Sequence, residues 1–100
     1  MITAVEYTTM LIEKYCTKNN ITCNIELNNN EFWTLSYLLD RNNQDFTKLI
    51  LIIDIELNMI HEILSADKIM NTNYKKHTDL KYIPIRELHR NEILSELLND

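Results

Sequence analysis

The sequence predicts a mainly helical single domain of the four-helix type, built around a central helix at about residues 45–65. The first observation is a helical period, because apolar side chains from Phe46 to Leu64 recur on one face at 100° per residue. The second is composition: 45% of the residues are hydrophobic and 25% are charged, the balance of an ordinary folded domain. The third is length, since 100 residues suit a single domain, residues 1–100, with its own core.

The chain contains no glycine. Phosphate-binding and dinucleotide-binding loops need glycine, because it adopts positive φ and lets the backbone approach a ligand closely. The sequence therefore excludes nucleotide-binding motifs of the P-loop and Rossmann kinds. Asparagine tolerates the left-handed region better than other side chains, so the pairs Asn19–Asn20 and Asn42–Asn43 are predicted to end helices.

The ends of the other helices are marked locally. Thr3 and Glu6 form a capping box that starts a helix ending near residue 18. Asn30 can cap a second helix over residues 31–41. Pro84 suits the first turn of a last helix that ends near residue 98.

A short strand pair is predicted beside the helices. Residues 21–27 alternate apolar and polar side chains, which is typical of a half-buried strand, and would pair with residues 80–85. The alternative is an α/β domain with three strands, 21–27, 49–57 and 80–85, and a helix capped by Asn58. Four isoleucines within 49–57 favour this alternative, whereas the continuous helical period favours the central helix.

The charge is unevenly distributed along the chain. The formal net charge is −5, with net −6 over residues 1–67 and net +4 over residues 68–90. An acidic protein is a poor fit to nucleic acid and a good fit to a basic protein partner. An alternative nucleic-acid surface would use the basic segment: Lys75, Lys76, Lys81, Arg86 and Arg90.

Catalytic and metal-binding patterns are missing from the sequence. His61 has no second histidine at the spacing of a zinc-binding helix, and six residues separate Cys16 from Cys23. We expect both cysteines to be reduced and packed. Asp54 and Glu56 would lie about 160° apart on the central helix, too far for a paired carboxylate site. We therefore expect no enzyme, no cofactor and no metal.

We interpret the chain as a non-enzymatic inhibitor that binds a basic protein. The favoured hypothesis is an immunity protein or antitoxin that occludes a cationic, nuclease-like toxin, or a phage or viral inhibitor of a host defence protein. The alternative is a small nucleic-acid-associated regulator, and a homodimer through the central helix is a third arrangement. The predicted partner-binding residues are an acidic set and a second apolar strip of the central helix: Glu26, Glu31, Asp40, Asp45, Asp54, Glu62, Leu51, Ile55 and Met59.

Two features of the sequence concern the protein's location in the cell. The N-terminus lacks the basic start and apolar run of a signal peptide. The longest strictly apolar run, Leu49–Ile53, is far too short to span a bilayer. We expect a cytoplasmic protein of a bacterium or phage, without membrane contact.

Overall fold

The computed structural model describes residues 2–23, 25, 30–71 and 79–98, except for the side chains of residues 30, 31, 70 and 71. Helices and strands are mixed along this part of the chain. In order they are α1 (Ala4–Lys18), α2 (Asn30–Ser36), a π-helical turn (Tyr37–Arg41), a 3-10 turn (Phe46–Lys48), β1 (Leu49–Asp54), β2 (Met59–Ser65), α3 (Ala66–Asn71), β3 (Leu80–Pro84) and α4 (Ile85–Leu98).

The three strands form one antiparallel sheet in the order β2-β1-β3. In the centre of the sheet Leu51 lies between Ile63 of β2 and Ile83 of β3. The register of β2 then shifts, since Ile52 pairs with Glu62 but Ile53 pairs with Ile60. This shift leaves an extra residue in β2, which is a β-bulge.

The prediction of a mainly helical domain with a central helix over residues 45–65 is wrong. That stretch forms the 3-10 turn, β1, a four-residue turn and β2. β1 is the middle strand and is buried on both faces, so its sequence is a continuous apolar run that lacks the alternation of a half-buried strand. Such a run cannot be told from a buried helix by periodicity alone.

The three-strand alternative places two of its strands where β1 and β3 lie, but its other parts differ from the structure. The segment after Asn58 is β2 and not a helix. The predicted pairing of residues 21–27 with 80–85 is not found among the described residues, where β3 pairs with β1. Thr22 instead forms an isolated parallel bridge with Met59, and residues 24, 26 and 27 lie outside the described part.

The helix ends predicted from local sequence signals are confirmed within one residue at α1 and α4. The hydroxyl of Thr3 accepts a hydrogen bond from the backbone N–H of Glu6 at 3.1 Å and caps α1. α4 ends at Leu98 and starts directly after Pro84. The second predicted helix, residues 31–41, is divided into α2 and the π-helical turn.

The core lies between the helices and one face of the sheet. Leu49, Leu51 and Ile53 point from β1 to this face, and side chains of α1, α2 and α4 cover them. Ile52 and Leu64 are buried as well, on the opposite side of their strands. The buried members of the main cluster are Val5, Leu11, Ile12, Cys16, Ile25, Leu35, Leu39, Leu49, Leu51, Ile53, Ile60, Ile63, Ile83, Ile85 and Leu88.

Asparagine makes the left-handed turns in this glycine-free chain. Within the described residues the positive φ angles belong to Asn20 at 55°, Asn43 at 48° and Asn58 at 54°. Asn20 follows α1, and Asn43 follows the π-helical turn, so the predicted role of these two asparagines is confirmed. Asn58 closes the turn between β1 and β2.

Candidate protein-binding groove

Most of the predicted acidic side chains that the structure describes have partners within the fold. Oδ1 of Asp45 caps the 3-10 turn, and Oδ1 of Asp54 accepts a hydrogen bond from the N–H of Leu57 at 2.8 Å in the β1–β2 turn. Asp40 is exposed beside Ser36, and Glu62 is half-buried on β2. These four acids belong to different elements of the fold. Glu26 and the side chain of Glu31 lie outside the described part of the structure.

The predicted apolar strip of Leu51, Ile55 and Met59 does not exist, because it depended on a helix. Leu51 lies in the core with 0% of its surface exposed. Ile55 is 54% exposed in the turn after β1, and Met59 is 38% exposed at the start of β2. In this fold Leu51 cannot reach a partner.

The largest exposed aromatic side chains lie elsewhere, on α2 and the turn that follows it. Trp33 and Tyr37 are each 56% exposed. They border a groove of about 480 Å³ between this segment and the second half of β2. We call it the aromatic groove, and its lining residues are Trp33, Thr34, Tyr37, Leu38, Glu62, Ile63, Leu64, Ser65 and Lys68.

Helical geometry explains why these two rings face outwards. Leu35 and Leu39 are four residues apart and buried in the core. Trp33 and Tyr37 are also four residues apart and lie on the opposite side of the segment. The rings of Phe32 and Trp33 meet nearly at right angles, with centroids 6.5 Å apart. This contact with a neighbouring residue of α2 stabilises the position of the Trp33 ring.

The π-helical turn shapes the end of the groove. The N–H of Asn42 donates to the carbonyl of Tyr37 at 3.1 Å, and the N–H of Gln44 donates to the carbonyl of Leu38 at 2.9 Å. Turns of this kind are rare and are frequent at functional sites. Trp33 and Tyr37 were not among the partner-binding residues predicted from the sequence. Their spacing opposite the buried pair is the signal that could have found them.

The groove combines rings with charges. Glu62 lines it from β2, Lys68 lines it from α3, and Asp40 lies three residues beyond Tyr37 on the π-helical turn. An aromatic face beside a carboxylate attracts an ammonium or guanidinium group, because the ring quadrupole and the charge act in the same direction. The groove lining therefore carries a carboxylate, from Glu62, and an ammonium group, from Lys68.

A second cleft, of about 510 Å³, lies between α1, β3 and α4. Lys14, Lys18 and Lys81 line it, and Nζ of Lys14 lies 2.6 Å from a carboxylate oxygen of Glu92. Of the basic residues predicted for nucleic acid, Lys81 alone lines this cleft among those that the structure describes. Arg86 and Arg90 are exposed on α4 outside it, and Lys75 and Lys76 lie outside the described residues.

The histidines and cysteines that the structure describes lie apart from the groove lining. Nδ1 of His89 hydrogen-bonds with the hydroxyl of Tyr7, and His61 is exposed at the bulge of β2. The thiol of Cys16 hydrogen-bonds with that of Cys23, and this contact together with burial raises the pKa of Cys16. Over the described ranges, no three histidine, cysteine, aspartate or glutamate side chains come together as metal ligands could.

Comparisons with family models, with curated proteins and with solved structures found no match to this chain. Within the residues that the structure describes, none of the helices has the length and apolar character needed to cross a bilayer.

Proposed function

We propose that the protein is a non-catalytic inhibitor that binds a basic protein and occludes its working surface. Within this class the favoured partner is a cationic, nuclease-like toxin, which would make the chain an immunity protein or antitoxin. The second form of the same proposal is a phage or viral inhibitor of a host defence protein. In both forms the chain acts one to one and forms no covalent bond.

The observation that carries the proposal is the exposed pair Trp33 and Tyr37 at the aromatic groove. Tryptophan and tyrosine are enriched among the few residues that supply most of the energy of protein interfaces. Each offers a large apolar area with few rotatable bonds, so little conformational entropy is lost when a partner covers it. Two such residues side by side, with a groove between them and a strand, form a compact anchor point.

Charge supports a basic partner. The net charge is −5, and acidic side chains including Glu6, Glu13, Asp40, Glu56 and Asp67 are exposed. This field speeds the encounter with a basic protein at low ionic strength. At close range the carboxylate of Glu62, which lines the groove together with the two rings, favours an arginine or lysine of that partner.

The first experiment is capture from a lysate of the source cells on immobilised protein, followed by identification of what binds. The test variant is Trp33→Ala/Tyr37→Ala. The control is Leu94→Ala/Leu97→Ala, which removes exposed apolar side chains from α4, away from the groove. We expect the wild type to capture one basic protein at equal stoichiometry. The test variant should bind this protein at least about 30-fold more weakly, and the control should bind it with the affinity of the wild type.

Two results would overturn the proposal. One is a basic partner that binds the groove variant as tightly as the wild type. The other is recovery of nucleic acid alone. If a basic partner is found, its toxic or nuclease activity is measured with increasing amounts of the chain, and loss of that activity at one equivalent supports neutralisation.

The nucleic-acid alternative has one observation in its favour, the three lysines of the second cleft. Charge reversal by Lys18→Glu and Lys81→Glu distinguishes the two functions. Under the regulator hypothesis the change abolishes salt-dependent binding of nucleic acid. Under the inhibitor hypothesis it does not weaken binding at the aromatic groove, because neither lysine lines that groove and the change makes the chain more acidic.

A further inference from the structure

β2 lies at one edge of the sheet, because the strand order is β2-β1-β3. Over residues 62–65 its pairing with β1 is regular, residue by residue. In a regular antiparallel pair every second residue directs its N–H and C=O groups away from the neighbouring strand. The outer edge of β2 therefore presents backbone donors and acceptors at alternate residues in this half of the strand.

The aromatic groove follows this outer edge. Residues 62–65, which are consecutive in β2, all line it. Successive side chains of a strand point to opposite faces of the sheet, so a groove on one face would be lined by alternate residues only. Lining from both faces means that the groove runs along the edge of β2, with Trp33 and Tyr37 of the helical segment on its other side.

The first half of the same edge is protected. Thr22 forms a parallel bridge with Met59, and the β-bulge follows, where the pairing shifts between Ile60 and Glu62. Bulges and covering segments are devices that keep a sheet edge from pairing with another chain. Among the residues that the structure describes, no strand or bridge lies on the outer edge of residues 62–65.

We propose that an extended segment of the partner protein, in which apolar and basic side chains alternate, binds in the aromatic groove as an additional strand beside β2. This inference rests on the proposed function, because it states how the basic partner enters the same groove. In this binding mode main-chain hydrogen bonds to the sheet edge supply affinity, and the places for alternate side chains supply specificity.

The two faces of β2 determine this alternation. Ile63 lies on the face that the helices cover, since it pairs with Leu51 and belongs to the core cluster. Apolar side chains of an added strand would lie on this face, beside the exposed rings. Glu62 is half-buried on the opposite face, so basic side chains of the added strand would lie next to its carboxylate.

A second copy of this chain is a poorer occupant of the edge. Two β2 strands paired about a twofold axis would bring two Glu62 carboxylates to the same short stretch of sheet, and each chain has a net charge of −5. Like charges on paired strands destabilise the pairing. A basic segment reverses the sign of this interaction, so charge favours the partner over the second copy.

The test uses the full chain, labelled with nitrogen-15, and a synthetic peptide with blocked ends and the sequence Val-Arg-Val-Arg-Val-Arg. Titration followed by NMR should change the amide shifts of residues 62–65. Two further peptides carry N-methyl groups, one on all valine amides and the other on all arginine amides. Because an added strand pairs through alternate residues only, one methylated peptide should bind at least about tenfold more weakly than the parent and the other within about twofold.

The second part of the test concerns charge. Glu62→Lys should weaken binding of the parent peptide about fivefold and strengthen binding of Val-Glu-Val-Glu-Val-Glu. The matched control is Glu56→Lys, which changes the net charge equally in the exposed β1–β2 turn, outside the groove. At physiological ionic strength, where distant charges are screened, this control should alter both affinities less than about twofold.

Equal affinities of the two methylated peptides would overturn the inference, since an added strand distinguishes the two sets of amides and this comparison needs no variant to fold. So would the absence of shift changes at residues 62–65 on titration. Slower hydrogen exchange at these residues when the chain alone is concentrated would overturn it too, because a second copy would then occupy the edge.

These results are distinct from a failure of the proposed function. That proposal fails if capture recovers no basic protein, or if Trp33→Ala/Tyr37→Ala binds the captured protein as tightly as the wild type does. A captured protein that needs the two rings, together with equal affinities of the methylated peptides, would leave the proposed function standing and overturn the added strand alone.

Discussion

The hydroxyl of Tyr7 lies 2.8 Å from Nδ1 of His89, and this hydrogen bond joins α1 to α4. The ring of Phe46 completes the contact, with centroids 5.7 Å from Tyr7 and 5.2 Å from His89 and near-perpendicular planes. Phe46 begins the 3-10 turn that leads into β1. Three elements distant in sequence thus meet at one aromatic cluster.

The first prediction concerns this hydrogen bond. Tyr7→Phe keeps the ring contacts but leaves Nδ1 of His89 without the hydroxyl, and should lower the free energy of unfolding by about 1 kcal/mol. The control is Tyr15→Phe, a half-buried tyrosine of the same helix whose hydroxyl forms no hydrogen bond with the residues that the structure describes. Its cost should stay within about 0.5 kcal/mol. Urea unfolding followed by circular dichroism measures both changes.

The second prediction concerns alkaline pH. Burial raises the pKa of Tyr7, and the charges of Glu92 and Glu96 raise it further. Because the folded state then holds the phenol proton more tightly than the unfolded chain, this contribution is present below the ordinary pKa of about 10 and is lost above it. Stability should therefore fall as the pH rises beyond that value, and less steeply in Tyr7→Phe. Identical slopes in the two proteins would contradict the prediction.

The third prediction concerns acid pH at Asp45. The backbone N–H and the hydroxyl of Thr47 donate to Oδ1 of Asp45 at 2.9 and 2.8 Å, and these hydrogen bonds lower the pKa of the carboxyl group. A lowered native pKa contributes stability above the ordinary value of about 3.9, and this is lost as the pH falls through the native pKa. Asp45→Ala should melt below the wild type at neutral pH.

The difference between the wild type and Asp45→Ala should shrink once the pH falls below about 4. Thermal unfolding across this range provides the measurement, and Asp40→Ala provides the control. Asp40 is exposed and is contacted by the Ser36 hydroxyl at a long 3.4 Å, so its removal should change the melting temperature less. A constant difference between wild type and Asp45→Ala at all pH values would argue against the charge of Asp45 as the cause.

The fourth prediction tests the left-handed asparagines. Asn43 has φ of 48°, whereas its neighbour Asn42 has an ordinary φ of −94°. Asn43→Ala should cost about 1 kcal/mol, because a Cβ is strained in this region and alanine cannot bond locally as asparagine does. Asn43→Gly should cost less than about 0.5 kcal/mol. The matched change Asn42→Ala should be nearly neutral, and chemical denaturation distinguishes these outcomes.

The helix cap and the turns were predicted correctly because each depends on residues that are close in sequence. The Thr3 cap depends on residues three apart in the chain, and the turns at Asn20 and Asn43 depend on one side chain each, so a single sequence contains enough information. The bridge between Thr22 and Met59 was not predicted, because it joins segments that are far apart in the sequence.

The β-bulge in β2 explains why the apolar residues from Phe46 to Leu64 have the spacing of a helix face. An extra residue in β2 interrupts the alternation of inward side chains, so the buried positions are Ile60, Ile63 and Leu64. These are three and four residues apart, the spacing of a helix face. β1 added an apolar run that is buried on both sides. The helical spacing of apolar residues therefore arose from the places of β1 and β2 in the sheet, which the sequence alone does not show.

The last prediction separates the sheet from the central helix. On a helix Leu51 and Ile55 would share one strip, and shortening either would have a similar effect. In the sheet Leu51 is 0% exposed between Ile63 and Ile83, whereas Ile55 is 54% exposed in a turn. Leu51→Ala should therefore cost about 3 kcal/mol, because it leaves a cavity in the core.

Ile55→Ala should cost less than about 0.5 kcal/mol, since its side chain is already in contact with water. Urea unfolding of the two variants under the same conditions measures the ratio directly. Equal costs would contradict the sheet. A large loss of stability for Leu51→Ala alone would show that Leu51 is a core residue and cannot contact a partner. The aromatic groove would then be the apolar surface to test.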